Sequence, residues 1–282
     1  MDRAILVYVI NLNDFRQNIW TNAGIRPCPG YGEDGVLKKI FELIGVSKKP
    51  LCIEFGELRV LGTTSRQYRI SNLSNAVYVS ATMDFKSRVL NILDIFKISM
   101  KQRNIRLLKF AFSMPKRRIV TPDNVLSILR ISSRDSIDLL VVDIDSFDFE
   151  VVSRLLDEGI LPKVFVVEYN PSLPPKDILF QKFSLGKHSV ENKRFYGASV
   201  AAWLKLFSPL NYSLIHVSGF CNLFFVKNEF KNYFQEPDVL FEITDTREKV
   251  LSFAKEFCRP GFIPSWFHDP PLTNEELNLL RQ

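Results

Sequence analysis

The stretch Ile137-Asp138-Leu139-Leu140-Val141-Val142-Asp143-Ile144-Asp145-Ser146-Phe147-Asp148 decides the fold. An apolar run of this length, rich in leucine and β-branched residues, reads as a parallel strand buried on both faces. It ends in three acids, Asp143, Asp145 and Asp148, so charge is delivered to the carboxyl edge of a sheet. In open α/β sheets that edge is where ligands bind. A second run, Val164-Phe165-Val166-Val167-Glu168-Tyr169-Asn170, repeats the pattern. If the two strands are neighbours, Asp143, Asp145, Glu168 and Asn170 share one crevice.

Outward from these runs, strand and helix signals alternate. Glu33 to Gly45 has acids at its start, apolar residues at 36, 37, 40, 41 and 44, and a closing glycine, the pattern of a capped amphipathic helix. Strands are expected at 51–55, 77–80 and 105–112, and helices at 85–97, at 122–130 behind Thr121 and Pro122, and at 147–156. Tyr196-Gly197-Ala198-Ser199 opens a helix running to Phe207, and 212–217 with 222–227 form an antiparallel hairpin. The expected architecture is α/β: a Rossmann-like, doubly wound, mainly parallel sheet with a terminal antiparallel hairpin and additions at both ends. The divisions are an N-terminal strand and turn-rich lead-in over 1–30, an α/β domain over 31–230, and a helical, aromatic appendage over 231–282.

A chain of 282 residues with 46% hydrophobic content can bury a large core, which excludes disorder across the whole chain. The net charge of +6 permits an anionic partner, but the basic residues are dispersed, and the densest cluster, Lys116-Arg117-Arg118, reads as a solvated loop. Nucleic acid is therefore a disfavoured partner. The cysteines, Cys28, Cys52, Cys221 and Cys258, form no CxxC pair, which suits a reduced, cytoplasmic setting. Ile5 to Ile10 is too short to span a bilayer, and no later segment reaches that length. Zinc-ligand spacing, a phosphate-binding P-loop and a nucleophile elbow are all absent from the sequence.

Tyr31-Gly32-Glu33-Asp34-Gly35, Ile53-Glu54-Phe55-Gly56, Thr121-Pro122-Asp123-Asn124 and Asp138 through Asp145 follow one another along the chain. Together with Val167-Glu168-Tyr169-Asn170-Pro171, Tyr196 through Ser199 and Ser218 through Val226, they resemble the FkbM-like group of S-adenosylmethionine-dependent methyltransferases over about residues 31 to 227. It implies a class I methyltransferase fold and methyl transfer to a carbohydrate hydroxyl of a surface glycan. Glu54, Gly56, Gly62 and Ser80 would then line the cofactor. The family's turn departs here, with Leu58, Arg59 and Val60 where it carries small residues, aspartate and glycine, and Ser80 where it places a ribose-binding acid.

In such an enzyme Asp145 is the first candidate for the base or a metal ligand, with Asp143, Glu168 and Asn170 beside it. Asp143, Asp145 and Asp148 are candidate ligands of a divalent metal. Asp148 equally suits the start of the next helix, and Glu54 equally suits hydrogen bonding to loop amides. His188 lies in the polar segment 171–195, which reads as a lid or substrate loop, and is a candidate base if that loop closes. The appendage, with Trp266-Phe267-His268 between prolines, suits an apolar surface on the chain itself or in a homo-oligomer. Two alternatives stand beside methyl transfer to glycan: a methyltransferase-like interaction module without catalysis, and an RNA 2′-hydroxyl methyltransferase.

Overall fold

The computed structural model describes residues 33–56, 64–65, 75–80, 85–101, 103, 105, 106, 108, 116–129, 136–170, 172–183, 196–218, 222–234 and 272–281. The expected N-terminal strand over 5–10, Gly62, His188 and the stretch 235–271 lie outside the described residues. Seven strands form one sheet: β1 (Leu51–Phe55), β2 (Asn75–Ser80), β3 (Lys116–Arg117), β4 (Leu139–Val142), β5 (Val164–Glu168), β6 (Tyr212–Ser218) and β7 (Asn222–Lys227), in the order β3-β2-β1-β4-β5-β7-β6. The first five are parallel, while β7 runs antiparallel to β5 and pairs with β6 as a hairpin. The protein is thus α/β with a mixed, mainly parallel sheet, and the two stretches that open the sequence argument, β4 and β5, are neighbours.

The central strands are uniformly apolar because both faces are covered. One face carries Cys52, Leu139, Val141, Val164, Val166, Phe224 and Val226 against Val36, Leu37, Ile40 and Phe41 of helix α1 (Glu33–Ile44). The other carries Ile53, Phe55, Leu140, Val142, Phe165 and Val167 against three helices. These are α3 (Val125–Leu129), α4 (Asp148–Asp157) and α5 (Val200–Phe207). Between α1 and α3 in the chain runs α2 (Phe85–Lys101). Strand alternation decides which residue meets which layer. A leucine every second position would have left one face open to water; the continuous run fills both.

Local sequence signals explain the element ends. Gly45 closes α1 with φ +72° and its amide on the Phe41 carbonyl. Ser199 caps α5, accepting from the amide of Ala202. At the amino edge of the sheet, buried Asp138 accepts from the amide and hydroxyl of Ser47 and from Lys163 Nζ at 2.9 Å, tying the lead-ins to β1, β4 and β5 together.

Two expectations need correction. The apolar run 105–112 is not the third strand at its described positions, since 105, 106 and 108 lie in helical turns. The edge strand is instead β3, made from two members of the basic cluster expected to be a solvated loop. An edge strand has a single ladder and need not be apolar, so its sequence carries no buried-strand signature. The C-terminal helix α6 (Asn274–Arg281) packs on its own chain through Leu277 and Leu280 against Leu173 and Leu179, with Arg281 paired to Asp177 at 2.6 Å. No helix among the described residues is long and apolar enough to cross a membrane.

Candidate functional site

The strand order reverses between β1 and β4, with β2 and β3 on one side and β5 on the other. At such a switch point the loops leaving adjacent strands diverge to opposite faces and open a crevice beyond their carboxyl ends. Register places a polar row along this edge. Phe55 pairs with Val142 and Val142 with Val167, so one residue further on stand Gly56, Asp143 and Glu168. Across the antiparallel join Glu168 pairs with Asn222, which pairs with Ser218.

Three carboxylates converge there. One oxygen each of Asp143, Asp145 and Glu168 lies within 4.8 Å of the other two, and the three grade from buried Glu168 through half-buried Asp143 to exposed Asp145. Asp145 sits at φ +52°, a left-handed conformation that aspartate tolerates better than most residues. Such backbone conformations persist where surrounding structure enforces them. Here the enforcing group is Asp148, whose carboxylate accepts from the amides of Ile144 and Ser146, both at 2.9 Å, and folds the 144–148 turn around itself. The all-oxygen, anionic set of Asp143, Asp145 and Glu168 matches the preference of a hard divalent cation.

Asp148 does not join that set. It is fully buried, and burial pushes its carboxyl up to about 6, with a smaller contribution from the charge of Asp145 and opposition from the backbone amides it accepts. Its place is the start of α4 and the inside of the turn, not a metal shell. Asn170 also turns inward. Its amide donates to the Tyr196 carbonyl at 3.1 Å and its oxygen accepts from the Ser172 amide at 2.8 Å, so it holds the loops that flank the site.

On the other side of the switch point, Glu54 is buried and accepts from the amides of Thr64 and Ser65 and from the Ser65 hydroxyl. Of its two expected roles, the loop-bonding one is the geometry observed. Gly56 has φ +121°, and a Cβ there would fall 1.5 Å from the carbonyl oxygen of Asp143. Glycine is required at 56 by the approach of β1 to β4, independently of any ligand. Ser80 ends β2.

Four residues at this edge were not singled out by sequence reasoning. Trp203 Nε1 donates to the Glu168 carbonyl at 2.9 Å. Ser146 is fully buried, its hydroxyl has no partner among the described residues, and its carbonyl accepts from the Gly197 amide. Asn222, 5% exposed, donates to Glu33 at 3.3 Å, while its buried Oδ1 has no partner among the described residues. The available signals are slight: Asn222 is the polar first residue of a strand whose next four residues are apolar, and Glu33 reads as an acid serving a helix start. No protein-family model matches the chain, and no curated protein matches it.

Proposed function

We propose that the protein is an FkbM-like O-methyltransferase of Rossmann-like fold. It acts on a carbohydrate hydroxyl, with S-adenosylmethionine as donor and a divalent cation on the acceptor side. The convergence of Asp143, Asp145 and Glu168 at the carboxyl ends of β4 and β5 carries this reading. Support also comes from a layout of five parallel strands followed by an antiparallel hairpin, whose switch point falls beside those acids.

The oxygen donors fit a cation: Asp143 and Glu168 would hold it from the strand ends and Asp145 from the turn. When bound, it supplies a Lewis acid that lowers the pKa of a coordinated hydroxyl. Asp145, the exposed member, is placed to take the proton that the hydroxyl releases. Buried Asp148 orients Asp145 through the turn, and Trp203 and Asn170 brace the Glu168 side and its neighbouring loops. Glu54 is engaged by the 64–65 turn, and Gly56 faces the Asp143 carbonyl.

That same pair of observations favours a second reading, an interaction module that keeps the sheet and binds glycan without methyl transfer. Calorimetry on the 282-residue chain separates the two. Saturable heat with S-adenosylmethionine, and transfer of labelled methyl to an oligosaccharide panel that Asp145→Asn abolishes, support the enzyme. Absence of heat at millimolar donor overturns it in favour of the module.

A further inference from the structure

Asn222 is held in an arrangement that three carboxylates do not explain. It stands directly across the sheet from Glu168, and side chains of such a cross-strand pair share a face with their Cβ atoms about 5 Å apart. Alternation along β5 and β7 fixes that face as the α1 side: Val164, Val166, Phe224 and Val226 all belong to the layer under α1, and Glu168 and Asn222 continue the same parity. Glu33, the first residue of α1, reaches this point and accepts from Asn222 Nδ2.

An amide has two ends, and the Glu33 carboxylate selects which one turns away from it. A carboxylate accepts only, so Nδ2 must face Glu33 and Oδ1 must face elsewhere. Oδ1 is buried, and among the described residues no donor meets it. A buried acceptor without a partner is a costly group that native structures rarely leave unmade. Across the strand pair from it is Glu168 of the carboxylate cluster, an all-oxygen set of the kind hard cations prefer. Amide oxygens are ordinary ligands of hard cations, alongside carboxylates.

We propose that Asn222 Oδ1 is a fourth oxygen of the cation site formed by Asp143, Asp145 and Glu168, and that Glu33 is the positioning residue that orients it. This inference rests on the cation site of the proposed function. It places the metal deeper than the exposed turn, between β4 and β7 and beneath the start of α1, and it leaves Asp145 on the open side for a substrate hydroxyl. It also gives a chemical reason for a charged residue at the buried end of α1, where an apolar one would pack.

The test is calorimetric titration of the whole chain with MnCl2 and with CaCl2 alone. The variants are Asn222→Ala, Glu33→Gln and Asp145→Asn, with far-UV circular dichroism to verify folding and Asn222→Ser as a smaller change should Asn222→Ala fail to fold. The expected result is one saturable site in the parent chain, weakened about tenfold or more by Asn222→Ala and by Glu33→Gln. Binding abolished by Asp145→Asn but unchanged in folded Asn222 and Glu33 variants overturns the fourth ligand and leaves the three-carboxylate site standing. No cation binding in the parent chain overturns both.

Discussion

The indole Nε1 of Trp203 donates to the backbone carbonyl of Glu168 at 2.9 Å, joining the middle of α5 to the last residue of β5. Both are buried, and Trp203 packs on Phe207 and Phe149. Trp203→Phe keeps most of the ring packing and leaves that carbonyl without the indole donor. The expected loss is about 1–3 kcal/mol in urea unfolding. Cation affinity should fall with it, because the Glu168 carboxylate hangs from the same residue.

Gly56→Ala tests the close approach of β1 and β4. The new Cβ would strike the Asp143 carbonyl at a positive φ, so backbone strain and overpacking act together. A destabilisation of about 3 kcal/mol or more is expected in denaturant melts. A stable Gly56→Ala protein would mean that the two strand ends do not meet as described.

Asp148 provides a pH signature. Its carboxyl, ordinarily at 3.8, is pushed up to about 6 by burial, so the folded state holds the proton more tightly than the unfolded chain. Its contribution to stability is therefore full below about pH 3.8 and is lost as pH rises through about 6, by at most about 3 kcal/mol. Asp148→Asn does not titrate. The stability of the parent chain relative to this variant should fall between pH 4 and pH 7, and a difference that is flat or rises over that window would contradict the assignment.

Asp138 serves as a control away from the site. Asp138→Asn leaves Lys163 facing an uncharged amide at the amino edge of the sheet, and a loss of about 3 kcal/mol is expected for breaking this largely buried pair. Cation binding by the folded fraction should be unchanged, because the crevice is at the opposite edge.

Much of the fold was legible in the chain. The twin apolar runs predicted two buried parallel strands, and the structure makes them neighbours, with β4 and β5 in parallel register. The glycine after α1, the serine before α5 and the hairpin of β6 and β7 also stand where their local chemistry placed them. These signals survive in one dimension because each depends on neighbours in sequence: a period, a cap, a turn. At 105, 106 and 108 the expected strand is replaced by helical turns, and the edge strand lies at 116–117 for the complementary reason: what makes β3 a strand is the ladder offered by β2, not its own composition.

The site divided along the same line. Acids at the ends of two buried runs are visible in the sequence, and that Asp143, Asp145 and Glu168 could share a crevice follows from strand adjacency. The sequence could not say which carboxylates face outward. Asp148, Asn170 and Glu54 resemble their neighbours in type, yet each is turned onto backbone amides or carbonyls by a loop that returns to the sheet edge from elsewhere in the chain or folds back on itself. Nor could it couple Glu33 to Asn222, separated by nearly the whole domain. Local periodicity and capping are short-range and are written in composition. The direction in which a polar side chain points is set by the partners that satisfy it, and those are chosen only when distant segments pack.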